Sequence, residues 1–203
     1  MLLCAKFIYP FINKVANVSQ TLNLANPAPL GLMGFGMTTV LLNIHNAGFF
    51  PLDSMILAMG LFVGGMGQVV AGVLEFKKGN TFGLTAFTSY GFFWISLVAL
   101  LFFPKLGLSE PTSPMFMAWY FVMYGIFTGF MFIATLRGNR VSQFIFASLT
   151  VLFFLLAARD FSGSELIGTI AGYVGICCGL VAIYDAMAQV INEQYGEEFL
   201  PLG

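Results

Sequence analysis

Long apolar stretches separated by short polar breaks dominate this sequence from residue 29 onward. A helix that crosses a bilayer needs about 20 mainly apolar residues, and six stretches approach or exceed that length. They are Pro29–Asn46, Asp53–Phe76, Phe82–Phe103, Met115–Leu136, Val141–Ala158 and Glu165–Val190. Turn-forming residues such as Lys78-Gly79-Asn80 separate them. The pattern predicts an all-α membrane protein with six transmembrane helices.

Composition supports this fold class and excludes several functions. Apolar residues make up 59% of the 203 residues and charged residues only 8%, against about 25% charged residues in soluble domains. A net charge of -1, with no basic run longer than Lys77-Lys78, excludes a nucleic-acid-binding surface. No catalytic, metal-binding or phosphate-binding spacing occurs. We therefore expect neither an enzyme nor a cofactor or metal site.

The basic residues of the short loops predict the orientation in the membrane. Cytoplasmic loops carry an excess of Lys and Arg. The side that holds both termini would carry Lys6, Lys14, Lys77, Lys78, Arg137 and Arg140, and the other side Lys105 and Arg159. Both termini should therefore face the cytoplasm. This divides the chain into a cytoplasmic or interfacial segment over residues 1–25, a six-helix transmembrane domain over 26–193, and a cytoplasmic tail over 194–203.

A weak internal repeat relates the first, third and fifth stretches. Each begins near an Asn, and nine or ten residues later comes a bulky residue between small ones. The asparagines are Asn26, Asn80 and Asn139, and the bulky residues are Phe35, Tyr90 and Leu149. Repeats with the same topology predict three helical hairpins around a central pore. The bulky residues would lie about 14 Å into the membrane and form a narrow apolar ring. Ordinary core packing is the alternative.

Polar residues inside the predicted helices are candidates for a substrate pathway, because buried polar groups are costly in lipid. The polar candidates are Thr38, Asn43, Gln68, Glu75, Thr88, Ser89, Ser148 and Thr150, and the repeat adds the apolar residues Leu32 and Phe87. Neutral donors of this kind would bind an anion loosely, as conduction requires. Many Ser and Thr hydroxyls instead bond to carbonyls of their own helix.

Three titratable residues in or near the predicted helices could couple transport to protons. Glu75 lies beside Lys77 and Lys78, so an interfacial ion pair is the alternative role. Asp185 lies about two turns inside the last helix, where a structural hydrogen bond is the alternative. His45 lies near the outer end of the first helix, where it could sense pH; an interfacial structural role is the alternative.

Several strings resemble the acetate uptake transporter family, which includes the bacterial succinate–acetate permeases. The most specific is Asn26-Pro27-Ala28-Pro29-Leu30-Gly31-Leu32, and residues 33–48, 74–91 and 186–196 are similar to that family too. The resemblance implies a six-helix protomer in a hexamer of the bacterial inner membrane, with acetate or succinate crossing each protomer. It also implies a pore that narrows at Phe35, Tyr90 and Leu149. Asn26, Pro27 and Leu30 would then lie on the substrate pathway.

Two transport mechanisms and one different function remain open at this point. A channel would pass acetate passively through the ring, whereas a symporter would move a proton with it. The chain could also be a membrane sensor that transports nothing.

Overall fold

The computed structural model describes residues 24–203, which form six helices and no strand. We number the helices α1 (Ala28–Asn46), α2 (Ser54–Lys77), α3 (Thr81–Phe102), α4 (Pro114–Thr135), α5 (Arg140–Ser162) and α6 (Glu165–Tyr195). By length and composition, five of them, α2 to α6, could cross a membrane. The remaining helix, α1, has 19 residues and ends in the polar sequence Asn43-Ile44-His45-Asn46.

The helices begin and end close to the predicted positions, with two exceptions. Helix α5 continues to Ser162 rather than Ala158, because Arg159 and Asp160 pair with each other and are accommodated within the helix. Helix α6 continues to Tyr195, about one turn beyond Val190. The N-terminal segment predicted over residues 1–25 lies outside the described residues except for 24 and 25.

The three asparagines of the repeat bind backbone amides where the odd-numbered helices begin. The side chains of Asn80 and Asn139 accept hydrogen bonds from the Gly83 and Ser142 amides at 3.1 and 2.7 Å. Asn26 accepts one from the Ala28 amide at 3.3 Å. The first amides of a helix have no partner within it, so such side chains stabilise the N-terminus.

The helices pack in a cyclic order. Helix α2 lies against α3, α4 against α5, and α6 against α1, and these are the most extensive interfaces. Helices α1 and α2 also pack together, as do α5 and α6. Helices α3 and α4 are further apart and meet mainly through large side chains: Phe93 stacks on Tyr120, and the Ser96 and Tyr120 hydroxyl oxygens lie 2.7 Å apart.

Small residues allow the closest approaches between helices. A Cβ atom on Gly36 would lie 2.8 Å from the carbonyl oxygen of Gly179, and one on Gly91 would lie 2.8 Å from that of Gly65. At the third interface, Gly129 of α4 faces the methyl group of Thr150. Gly36, Gly91 and Thr150 each directly follow one bulky residue of the repeat.

The centre of α2 is wound as a π-helix over Met59–Gly67. Two polar side chains bond to carbonyl oxygens of this segment: the Thr38 hydroxyl donates to Met59 at 3.3 Å, and the Gln68 amide donates to Gly64 at 2.7 Å. π-Helical turns are often found at functional sites. This one is followed directly by Gln68, which lines a cavity described below.

Candidate functional site

Three cavities follow one another through the bundle. The N-terminal cavity, about 120 Å³, lies where α1, α3 and α5 begin and is lined by Ala28, Gly83 and Ser142. The middle cavity, about 20 Å³, is lined by Thr39 and Asn43 among others. The C-terminal cavity, about 140 Å³, lies where the same helices end and is lined by His45, Leu101 and Arg159.

Phe35, Tyr90 and Leu149 separate the N-terminal cavity from the middle cavity. Each of the three side chains lines both cavities, and each is at least 94% buried. The ring centroids of Phe35 and Tyr90 are 6.2 Å apart. We call these three residues the first ring, because they line the same two cavities.

Tyr90 carries the polar group of the first ring, and that group is held by α4. Its hydroxyl donates to the Thr128 hydroxyl oxygen at 2.9 Å, and Thr128 donates in turn to the Tyr124 carbonyl at 2.7 Å. Thr128 is completely buried. Sequence reasoning missed Thr128, because a lone Thr in an apolar helix gives no signal of its partner.

A second narrow point lies between the middle and C-terminal cavities. Leu42, Phe93 and Leu156 line both cavities, and we call them the second ring. Leu42 and Leu156 follow Phe35 and Leu149 by seven residues, which is two helical turns or about 10 Å. The internal repeat did not reveal this second ring.

The walls of the N-terminal cavity combine three helix N-termini with a few polar side chains. Ala28, Gly83 and Ser142 belong to the first turns of α1, α3 and α5. Helix N-termini carry a partial positive charge and favour anions. The polar side chains of the cavity are Gln68, Asn80, Tyr90, Ser142, Asp185 and Gln189. Gln68 is buried, and its side-chain oxygen Oε1 has no hydrogen-bond partner among the described residues.

A chain of hydrogen bonds reaches this cavity from the end of α2. The Lys78 ammonium donates to Asn26 at 3.1 Å, and the Asn26 amide donates to Gln189 at 2.8 Å. The Gln189 amide then donates to a carboxylate oxygen of Asp185 at 2.9 Å. Asp185 is only 1% exposed. Asn26 thus acts as a link in this chain, and Asp185 and Gln189 join the cavity wall although neither was among the predicted pathway residues.

The C-terminal cavity holds cationic and titratable groups. Arg159 donates from Nε to Asp160 at 2.7 Å, and His45 Nδ1 lies 2.8 Å from the Phe50 carbonyl oxygen. The two ends of the series therefore differ: a carboxylate lines the N-terminal cavity, and a guanidinium lines the C-terminal cavity.

Some of the predicted pathway residues line these cavities. Leu32, Gln68 and Phe87 line the N-terminal cavity, and Asn43 lines the middle one. The Asn43 amide donates to the Thr39 carbonyl at 2.9 Å, and its oxygen accepts from Asn46 at 3.1 Å.

Other predicted pathway residues lie elsewhere. Thr38 bonds to the π-helix and packs against Gly64, whereas its neighbour Thr39 lines the middle cavity. The hydroxyls of Ser148 and Thr150 bond to carbonyl oxygens of their own helix at 2.7 Å. Thr88 faces Gly72 of α2.

Glu75 and three further candidates, Pro27, Leu30 and Ser89, do not line these cavities. Glu75 is buried beside Gly83 and accepts a hydrogen bond from Asn80 at 2.8 Å. Pro27 is buried before α1, whereas Leu30 is 48% exposed and Ser89 is half-buried. Among the described residues, no group of His, Cys, Asp and Glu side chains could hold a metal ion.

Comparison with known proteins gives consistent matches along most of the chain. The sequence model of the GPR1/FUN34/yaaH family matches residues 10–199. The succinate-acetate/proton symporter SatP of Escherichia coli strain K12 is 61% identical over 180 residues, which cover 89% of this chain and 96% of that protein. Acetate permease A of Emericella nidulans is 31% identical over 195 residues, covering 88% of this chain and 65% of that protein. The structure of the bacterial acetate channel SatP matches with a TM-score of 0.88 and 60% identity, covering 89% of this chain and all of that one.

Proposed function

Because the chain belongs to the GPR1/FUN34/yaaH family, we propose that it carries small carboxylates, acetate and succinate among them, across a membrane. The observation that carries this proposal is the series of three cavities divided by the first and second rings, in a chain 61% identical to a protein named as a succinate-acetate/proton symporter. The relatives described above are named for transport, and we propose no chemical reaction.

The pathway follows the axis of three helical hairpins, α1–α2, α3–α4 and α5–α6. Two features support this arrangement. The most extensive interfaces join the second helix of each hairpin to the first helix of the next. The residues that directly follow the first-ring members, Gly36, Gly91 and Thr150, all lie at these interfaces, with close backbone approaches at Gly36 and Gly91 and an ordinary contact between Thr150 and Gly129.

The walls suit a carboxylate that must pass rather than stay. Three positive helix ends attract an anion into the N-terminal cavity. Beyond the first ring, the middle cavity is narrow, and its accessible wall is apolar. The apolar rings bind no charge, so neither holds the anion.

In the membrane, we propose six spans, with α1 completing the five longer helices, and both termini in the cytoplasm of a bacterial cell. The N-terminal cavity would then open toward the cytoplasm. Large apolar side chains such as Phe62, Phe116 and Phe130 are at least 60% exposed. Such surfaces fit a lipid bilayer and contacts between subunits, in a homo-oligomer that we expect to be a hexamer.

The direct test is uptake of labelled acetate by the purified protein in liposomes. Uptake that exceeds that of empty liposomes would support the proposal, and uptake equal to the empty control would favour the non-transporting sensor. Repeating the measurement with and without a pH gradient separates two mechanisms: accumulation against the acetate gradient indicates proton symport, and equilibration alone indicates a channel.

A further inference from the structure

We propose that Asp185 is the proton-binding residue of the pathway: a carboxylate substrate occupies the N-terminal cavity together with one proton, which it shares with the Asp185 side chain. This inference rests on the proposed function, since it assumes that the substrate is a carboxylate.

The position of Asp185 is the first argument. Among the described residues that line the N-terminal cavity, it is the one with a carboxylate, and none is Lys, Arg or His. It lies on α6 beside the first turn of α5, where Ser142 lines the same cavity. A substrate that reaches this cavity, from either end of the pathway, therefore shares a space of about 120 Å³ with an acidic side chain.

Within residues 24–203, no cationic side chain forms an ion pair with Asp185. Lys78 is connected to it only through Asn26 and Gln189, which are neutral. Ahead of α1, Asn26 binds Gln189; ahead of α3, Asn80 lines the cavity and binds Glu75 of α2. From α5 the facing group is Ser142, and the Arg140 backbone amide is bound to Gly203 of the C-terminal tail.

Two carboxylates in one such site cannot both stay ionised without strong repulsion, and the usual solution is to share a proton. Three helix N-termini reduce the repulsion but add no formal positive charge. In the proposed step, one proton and one substrate anion join the Asp185 carboxylate, giving a hydrogen bond from the protonated side chain to the substrate oxygen. When the substrate leaves, the O–H bond breaks and the proton leaves too, so charge and atoms balance.

The hydrogen bond from Gln189 prepares Asp185 for this role. Gln189 donates to Oδ1, which fixes the orientation of the carboxyl group and assigns Oδ2 to the proton. The substitution Asp185→Asn keeps an acceptor oxygen for Gln189 while it removes the titrating group. The variant therefore separates proton binding from the structural role of the side chain.

The test is exchange of labelled acetate at equal pH on both sides of the liposome, measured for the half-saturating acetate concentration between about pH 6 and pH 8, where acetate itself is ionised. If binding takes up one proton, that concentration rises about tenfold per pH unit in the alkaline part of the range. We expect this rise in the wild type and no rise in Asp185→Asn. Glu75→Gln is the comparison variant, because Glu75 is equally buried but does not line the cavity, and the rise should persist in it.

The possible results distinguish this inference from the proposed function. A rise that persists in Asp185→Asn would overturn the inference, because the proton would then reside on the acid itself. A rise lost in Glu75→Gln would assign the proton to Glu75 instead. No exchange in the wild type would overturn the proposed function and the inference with it.

Infrared difference spectra of the wild-type protein give a second test, which does not depend on the folding of any variant. Addition of acetate should produce the C=O band of a protonated carboxyl group, unchanged when the acetate carboxyl carries carbon-13. A band that shifts with the label, or no band, would contradict the assignment to Asp185.

Discussion

Tyr90 belongs to the first ring and also takes part in the packing around it. Its aromatic ring stands between two cavities, while its hydroxyl is held by Thr128 of α4. Because α3 and α4 meet mainly through large side chains, this bond helps to fix both the position of α4 and the orientation of the tyrosine ring.

Replacement of Tyr90 by Phe should separate these two roles. The ring stays in place, so acetate flux into liposomes should remain close to that of the wild type. The lost interhelical hydrogen bond should lower the free energy of unfolding by about 0.6 kcal/mol, the average found inside membranes. Thr128 keeps its bond to the Tyr124 carbonyl, which limits the cost. Flux well above that of the wild type would show that the hydroxyl, rather than the ring, controls passage.

Single positions also show where sequence reasoning reached its limit. The first ring could be predicted, because bulky residues recur at fixed distances from the three asparagines. Thr38 and Thr39 could not be told apart, since neighbouring residues on a helix point about 100° apart and α1 is covered on several sides. The structure turns Thr38 toward the π-helix and Thr39 toward the middle cavity. Asp185 was recognised as titratable, but its place in the cavity depends on how α5 and α6 pack.

At the scale of helices, the glycines at the closest approaches set the spacing of the bundle. A side chain at Gly36 would collide with backbone atoms of α6, namely the Gly179 carbonyl oxygen and the Ile183 amide. Backbone cannot move aside as the end of a flexible side chain can. The spacing of α1 and α6, and through it the position of Phe35, therefore depends on Gly36.

We expect Gly36→Ala to lower the free energy of unfolding by about 1–3 kcal/mol, as overpacking does in other tightly packed sites. Gly67→Ala is the matched control within α2, because the nearest atom to its added Cβ is 3.8 Å away. Thermal unfolding of both variants in detergent checks this, and equal stability of the two would contradict the account of the interface.

The helices themselves were largely predictable, because apolar length and polar breaks give their positions directly. The π-helical centre of α2 was not. Gly60 and Gly64 are buried within it, but apolar spacing does not reveal an extra residue in a turn. The second ring was missed for a related reason: Leu42, Phe93 and Leu156 are common apolar residues, and only the packed bundle shows that they face one another.

At the scale of the whole molecule, the C-terminal tail folds back onto the end of the bundle that holds the N-terminal cavity. Asn192 binds Leu200 twice, as donor and as acceptor, at 2.8 Å. The carbonyl oxygens of Leu202 and Gly203 then accept from the first amides of α5, Val141 and Arg140. The predicted cytoplasmic tail is therefore a cap on α5 and extends beyond the end of α6.

Replacement of Asn192 by Ala should release this cap. Both hydrogen bonds to Leu200 are lost, each worth about 1 kcal/mol, so the amides of Arg140 and Val141 should exchange their hydrogens about tenfold faster or more. Hydrogen-exchange mass spectrometry measures this, with the exposed neighbour substitution Glu193→Ala as the control. Unchanged exchange in the Asn192 variant would mean that the tail holds its place without that side chain.

The family and the transport of carboxylates could be anticipated from whole strings of sequence, and the family match confirms that resemblance. Composition and loop charge alone predicted a helical membrane protein but no substrate, since neutral donors suit several small solutes. The packing of the chain supplies what those strings do not: a series of cavities with a carboxylate at one end and an ion-paired guanidinium at the other.

The central claim is that a carboxylate passes through the first ring. It is tested most directly by acetate flux into liposomes for Leu149→Ala, compared with Ile133→Ala, which shortens a side chain that is 60% exposed on α4. Leu149 is the smallest member of the first ring. Its truncation widens the narrow point while Phe35 and Tyr90 remain. The account predicts faster acetate flux or admission of larger acids in Leu149→Ala, and wild-type behaviour in Ile133→Ala. Unchanged flux and selectivity in a normally folded Leu149→Ala would contradict it.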